Sequence, residues 1–274
     1  MSEQQLLLIL DKDAASEVAL VRAAELAQCQ QLPLTLLWQS EADKAGLWTQ
    51  QLQALKSSDI RLEELCLADG QSLQKRVIAF TDQHPDTLLI KASEKDHKGL
   101  LPPLDWKLLR NATCPVLLVK QHSQWQGGPI LVAIEPLAQA PERQALNRSL
   151  LQMSQQLGQL FNATVHPVIA WDTPMLGDEP EQLSDEAQLQ RHQNATAALL
   201  SDTGVEADSI LIGEGPAEHW IASAAADHKA VLLLIGTKAR RGIAGALLGN
   251  TSEQLLDRVD CDLLVLPGAL GETA

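Results

Sequence analysis

The chain has 274 residues, a hydrophobic fraction of 45% and a charged fraction of 20%, which is globular composition with length for two domains. A formal net charge of −14 lacks the clustered Lys and Arg by which proteins hold phosphate backbones, so nucleic acid is excluded as an expected partner, and so are anionic membrane surfaces. Cys29, Cys66, Cys114 and Cys261 form no C-x-x-C pair, which argues against a zinc or disulfide framework and fits a reducing, cytoplasmic setting.

Taken in chain order, residues 5–11 read as a short buried strand ending in Asp11. The run is too short for a membrane helix and has no basic flank, so it is not a targeting segment. A helix follows, with Val18, Leu20, Val21, Ala24, Leu26 and Ala27 expected on its apolar face. Apolar runs at 34–38, 65–70, 88–91 and 114–119 are further strands, with a helix through Val77 to Phe80 between the second and third of them. Residues 121–128, rich in Gln and Gly, read as a linker.

Beyond the linker the pattern returns. Residues 129–135 form a strand ending in Glu135, and Leu146, Leu150, Leu151, Met153 and Leu157 give the next helix its apolar face. Strands are expected at 165–171, 210–215, 233–236 and 261–266, with an irregular stretch at 171–186. From Gly70 onward the two halves match at an offset of about 145 residues, which reads as one duplicated unit. Uninterrupted apolar strands separated by helices predict doubly wound α/β folding, each unit a five-stranded parallel sheet covered on both faces. The expected domains are residues 1–123 and 128–270.

Ligands of such sheets sit outside the carboxyl ends of the strands. Two features of the second half fall there: Glu135, and residues 236–253 with Gly236, Gly242, Gly245 and Gly249 followed by Asn250, Thr251, Ser252 and Glu253. Glycine permits close approach of backbone to phosphate, and a helix start offers free N–H groups. Lys238, Arg240 and Arg241 add positive charge. Read bare, the same residues could simply cap a helix through Asn250 and Glu253, turn the chain and face solvent.

This stretch resembles the C-terminal signature of the universal stress proteins: Gly, two residues, Gly, nine residues, Gly, then Ser or Thr. Here the positions hold Gly236, Ala239, Gly249 and Asn250, with Thr251 beside the last. Gly249-Asn250-Thr251-Ser252-Glu253, followed by Cys261-Asp262-Leu263-Leu264-Val265, resembles the tandem, E-type branch. The resemblance implies adenine nucleotide alpha hydrolase-like units related by a pseudo-twofold axis, an internal pairing of the two final strands, and a further homodimer as an alternative assembly. It implies a stress-response protein that binds a small ligand or partner rather than a robust enzyme. ATP with Mg²⁺ would lie in the second domain against Glu135, Ala170, Ile235, Gly236, Ala239, Gly249, Asn250, Thr251 and Ser252. A weak Mg-dependent ATPase using Glu135, a ligand-free scaffold, and a binder of apolar molecules near Trp38 and Trp171 are the alternatives.

The first half has no glycine ladder after Ile90, and Asp105 stands where the last helix opens. A carboxylate there favours the positive helix end and repels phosphate. That half is expected to be structural or to bind something without phosphate. No phosphate loop, dinucleotide fingerprint, nucleophile elbow or metal-ligand spacing is present.

Overall fold

The computed structural model describes residues 4–10, 15–40, 49–68, 70–94, 104–120, 124–171, 184–237 and 250–268. Asp11, residues 172–183 of the irregular stretch, and the basic and glycine-rich residues 238–249 lie outside them.

The strands are β1 (Gln5–Leu10), β2 (Leu34–Trp38), β3 (Leu62–Cys66), β4 (Thr87–Ala92), β5 (Val116–Val119), β6 (Pro129–Ala133), β7 (Thr164–Trp171), β8 (Leu211–Glu214), β9 (Leu232–Thr237) and β10 (Asp262–Pro267). The helices are α1 (Ala15–Gln30), α2 (Thr49–Lys56), α3 (Leu73–Gln83), α4 (Leu104–Asn111), α5 (Pro141–Leu160), α6 (Asp185–Thr203), α7 (Ala217–Asp227) and α8 (Asn250–Arg258). They group into two compact units, one within 1–122 and 262–267, the other within 123–240 and 247–261.

In the first unit β3, β2, β1, β4 and β5 lie side by side in that order, all parallel, because each connection carries a helix across a face of the sheet. Leu6 to Leu10 are at most 1% exposed, as a strand covered on both faces requires. β10 then adds beside β5 in the antiparallel sense, with Leu264 opposite Leu117. In the second unit β8, β7, β6 and β9 are parallel and in the corresponding order.

Two local expectations are corrected. The third strand begins at Leu62, not Leu65, and includes Glu63 and Glu64. It is the sheet's edge, where charge is tolerated, and Glu64 pairs with Lys56 of α2 at 2.6 Å. On α1, Val21 faces solvent at 50% exposure, while Ala19, Arg22 and Ala23 take inward positions with Val18, Leu26 and Ala27. A charged residue on the core side of α1 conceals the true apolar stripe.

Arg22 is 3% exposed and Asp262 is completely buried. The Arg22 Nε donates to Asp262 Oδ2 at 3.3 Å, and its Nη1 donates to Glu25 Oε2 at 2.6 Å. The Lys120 N–H donates to the other Asp262 oxygen at 2.8 Å. This ties β10 to both α1 and the end of β5. Cys114 and Cys261 are core residues, and burial pushes the Cys114 thiol up to about 12.

In the second unit His166 of β7 stacks near His228 at a centroid distance of 5.8 Å, its ring nitrogens engaged by Ser209 Oγ at 2.8 Å and Thr164 Oγ1 at 2.9 Å. Burial holds its pKa down, assisted by His228 and opposed by Asp208 and the Ser209 backbone.

Removing one member of a buried pair costs about 3–5 kcal/mol. Asp262→Ala is therefore expected to lower the urea midpoint of the first unit strongly, and an unchanged midpoint would remove the clamp from the account. For His166 the sign follows from its depressed folded pKa. The unfolded chain takes up the proton first, so its contribution is present above about pH 6.5 and is lost as pH falls through the folded value. His166→Gln should flatten the acid limb of a urea-midpoint profile between about pH 7 and 5; a slope equal to that of the parent would refute the assignment.

Candidate functional site

Strand order reverses between β6 and β9 in the second unit, and the crevice of such a sheet opens outside their carboxyl ends. Glu135 follows β6 directly. Its backbone is held by Asn147 of α5, which is 4% exposed: Asn147 Nδ2 donates to the Glu135 carbonyl at 2.8 Å, and Asn147 Oδ1 accepts from the Glu135 N–H at 3.1 Å. The Glu135 side chain is exposed, and its Oε2 lies 2.6 Å from Arg143 Nη1 on the first turn of α5. The backbone beneath the carboxylate is thus fixed by a buried amide, and the carboxylate itself is paired with the guanidinium beside it. Pairs this exposed contribute about 0–1 kcal/mol and are readily exchanged for other partners.

Across the crevice β9 ends in Ile235, Gly236 and Thr237. Ile235 is buried in the sheet. A Cβ at Gly236 would come within 2.4 Å of Leu146 Cδ2 on α5, so a larger residue there would have to push that side chain aside. Glycine lets the helix lie close against the strand end. Thr237 is 2% exposed, and its Oγ1 has no hydrogen-bond partner among the described residues. An unsatisfied buried hydroxyl costs about 1–3 kcal/mol, so this atom stands ready for an acceptor or donor at the strand end.

Ala170 sits half-buried near the end of β7, beside Trp171, whose ring stacks on His192 of α6 with centroids 6.4 Å apart. Burial and the Arg191 charge hold His192 below its ordinary pKa, and its Nδ1 is buried without a hydrogen-bond partner among the described residues. Ala239 and Gly249 lie outside the described residues. Asn250, Thr251 and Ser252 open α8, with their side chains outside the description. The structure therefore brings Glu135, Ala170, Ile235 and Gly236 to the carboxyl edge of one sheet. Arg143, Asn147 and Thr237 belong there as well and were missed by sequence reading. Their position eight and twelve residues after Glu135 puts Arg143 and Asn147 on the facing helix, a signal visible only once the strand–helix approach is known.

The corresponding edge of the first unit is built differently. Lys91 of β4 is 1% exposed, and its Nζ lies 3.1 Å from Asp105 Oδ1 and 3.3 Å from Glu94 Oε1, with a hydrogen bond to the Ala92 carbonyl at 2.9 Å. Asp105, 4% exposed on the first turn of α4, accepts at Oδ2 from the Glu94 N–H at 2.8 Å and from Ser93 Oγ at 3.3 Å. Glu94 Oε2 in turn accepts from the Leu104 N–H at 3.2 Å. Trp38, at the end of β2, is 1% exposed and packs in the core.

His219 faces Arg258 at 3.2 Å, and among the described residues no cluster of three or more His, Cys, Asp or Glu side chains could hold a metal ion. No described helix is long and apolar enough to cross a membrane.

Comparison with known proteins agrees with this architecture. The universal stress protein family model matches residues 128–267, just over half of the chain. Universal stress protein E of Escherichia coli K12 is 34% identical over 174 residues, 61% of this chain and 55% of that protein. A homolog of that protein from Haemophilus influenzae is 30% identical over 181 residues, 64% of this chain and 59% of its own length. The chain's matches thus span little more than half the length of these curated relatives.

Among solved structures, a functionally unknown protein of Pseudomonas aeruginosa PAO1 aligns over 97% of this chain and 92% of its own, with 30% identity and a TM-score of 0.78. A universal stress protein of Archaeoglobus fulgidus aligns over 97% and 98%, with 16% identity and a TM-score of 0.68, a likeness of fold alone. The signature at 236–253, the α/β sheets and these relatives agree: the chain belongs to the universal stress protein family, and its similarity is to the E-type branch.

Proposed function

We propose that this chain is a tandem, cytoplasmic stress-response protein that works by binding, and that its second unit takes a small phosphate-bearing ligand, ATP with Mg²⁺ being the candidate, at the carboxyl ends of β6 and β9. The observation that carries the reading is the unsatisfied, buried Thr237 hydroxyl at the end of β9, in the unit whose opposite wall presents the Glu135–Arg143 pair. A polar ligand would satisfy the hydroxyl, and a ligand phosphate could take Arg143 from Glu135 at little cost. ATP, when bound, would supply a triphosphate whose charge Mg²⁺ shares; Ala170, Ile235, Gly236, Ala239, Gly249, Asn250, Thr251 and Ser252 are the remaining residues proposed to line it.

Binding rather than turnover is favoured because the Glu135 carboxylate, the acid available to a hydrolase, is exposed and held only by an exchangeable surface pair, which does not fix it for orienting a water. Similarity to stress proteins supports the physiological setting, and the repeated strand order supports a duplicated unit.

Millimolar ATP is expected to raise the melting temperature. A ligand present at about 100 times its Kd contributes about 2.7 kcal/mol. No measurable shift with or without Mg²⁺ would end the nucleotide reading, and an equal shift in Gly249→Leu would move the site elsewhere. Arg143→Gln should weaken ATP about 3- to 10-fold by isothermal calorimetry, because it leaves Glu135 uncompensated beside an anion at a cost of about 1 kcal/mol. Adenosine, which has no phosphate, should be nearly unaffected; a loss of the same size for both would place Arg143 outside the phosphate region.

A further inference from the structure

The first unit buries a charged group at the corresponding strand end. Lys91 is 1% exposed at the end of the central strand β4. Buried ammonium groups are costly, and an ion pair in that position is seldom more stabilising than apolar packing. Three donors nevertheless converge there on one carboxylate: Lys91 Nζ at 3.1 Å, the Glu94 N–H at 2.8 Å and Ser93 Oγ at 3.3 Å. The positive end of α4 adds its field, because Asp105 lies in the first turn of that helix. An ammonium, a backbone amide, a hydroxyl and a helix start around two oxygens are the components of an anion receptor.

We propose that the carboxyl end of β4 is a built receptor for a carboxylate, filled from within by the side chain of Asp105, so that the first unit is closed to outside anions and the chain offers ligand only the second unit. The Glu94 N–H and the Ser93 hydroxyl are committed to Asp105, and Lys91 is shared between Asp105, Glu94 and the Ala92 carbonyl. Glu94 completes the closure: one of its oxygens lies 3.3 Å from Lys91 Nζ and the other accepts from the Leu104 N–H. Among the described residues two carboxylates face one ammonium there, an excess of negative charge that disfavours a further anion. In the second unit the residues in the corresponding places are Gly236 and Asn250, neither of them charged. The inference concerns the first unit alone and stands whether or not the second takes ATP.

The test is chemical rescue in the full chain. Asp105→Gly removes the resident carboxylate, leaves a space for a one-carbon acid and strands Lys91. The melting temperature is expected to fall by about 10 °C. Sodium formate at about 100 mM should then restore a substantial part of the loss, relative to sodium chloride of the same ionic strength. Formate should shift neither the parent nor the Lys91→Met/Asp105→Gly double variant beyond its chloride control. If Asp105→Gly is unfolded in chloride, formate is expected to fold it, as read by far-ultraviolet circular dichroism. A formate effect no larger than in the parent, an effect that persists without Lys91, or a variant that stays unfolded in formate would each overturn the proposal.

Discussion

A guanidinium cannot be left in a hydrophobic core without an anion, and Arg22 is in that position. Its helix supplies one partial answer in Glu25, but the fully buried carboxylate comes from Asp262, 240 residues away. Taking two charges out of water costs several kcal/mol each, so the arrangement holds only if both groups are hydrogen-bonded all round. The Lys120 amide completes that condition for Asp262. Strand β10 is thereby specified as the neighbour of β5 not only by its apolar side chains, which would fit many sheet edges, but by one charge in one register. The same pairing covers the open edge that β5 would otherwise expose.

The two units solve the problem of their strand ends in opposite ways. In the second, a buried amide, Asn147, fixes the backbone of Glu135 while the side chain stays at the surface with Arg143. Charge there is held loosely, and a buried hydroxyl is left over at Thr237. In the first, the charges are drawn inside and matched among themselves through Lys91, Glu94 and Asp105. Each solution costs something. The outer one leaves polar potential unspent, and the inner one spends it on desolvating an ammonium. The fold can carry both because the central strands, Leu6 to Leu10 and Ile130 to Val132, are buried apolar rods whatever their ends do.

Strand positions, the parallel arrangement and the family signature were legible in the sequence because they rest on local composition: apolar runs of strand length, glycine, and a capping sequence. What was hidden depends on partners distant along the chain. Arg22 reads as a surface residue until Asp262 is placed opposite it, and Val21 reads as core for the same reason. Asp105 was expected to repel phosphate, and the charge argument was sound, but nothing local showed that Lys91 would fold inward to meet it. Charged Glu63 and Glu64 concealed the start of β3, since an edge strand need not look apolar. Gly236 was read as a place for close ligand approach; the structure adds Leu146 Cδ2, which a Cβ there would meet at 2.4 Å.

The docking of β10 onto the first unit also has a consequence for how the polypeptide is made. Synthesis proceeds from the amino end at about 5–20 residues per second, and domains generally fold as they emerge. Here the early unit lacks Asp262, the fully buried partner of Arg22, and the cover of β5 until residue 262 has left the ribosome. For the 142 residues that separate Lys120 from Asp262, the nascent first unit exposes an apolar strand edge, and Arg22 relies on Glu25 of its own helix. That interval closes only when residue 262 arrives to complete the edge of the first unit.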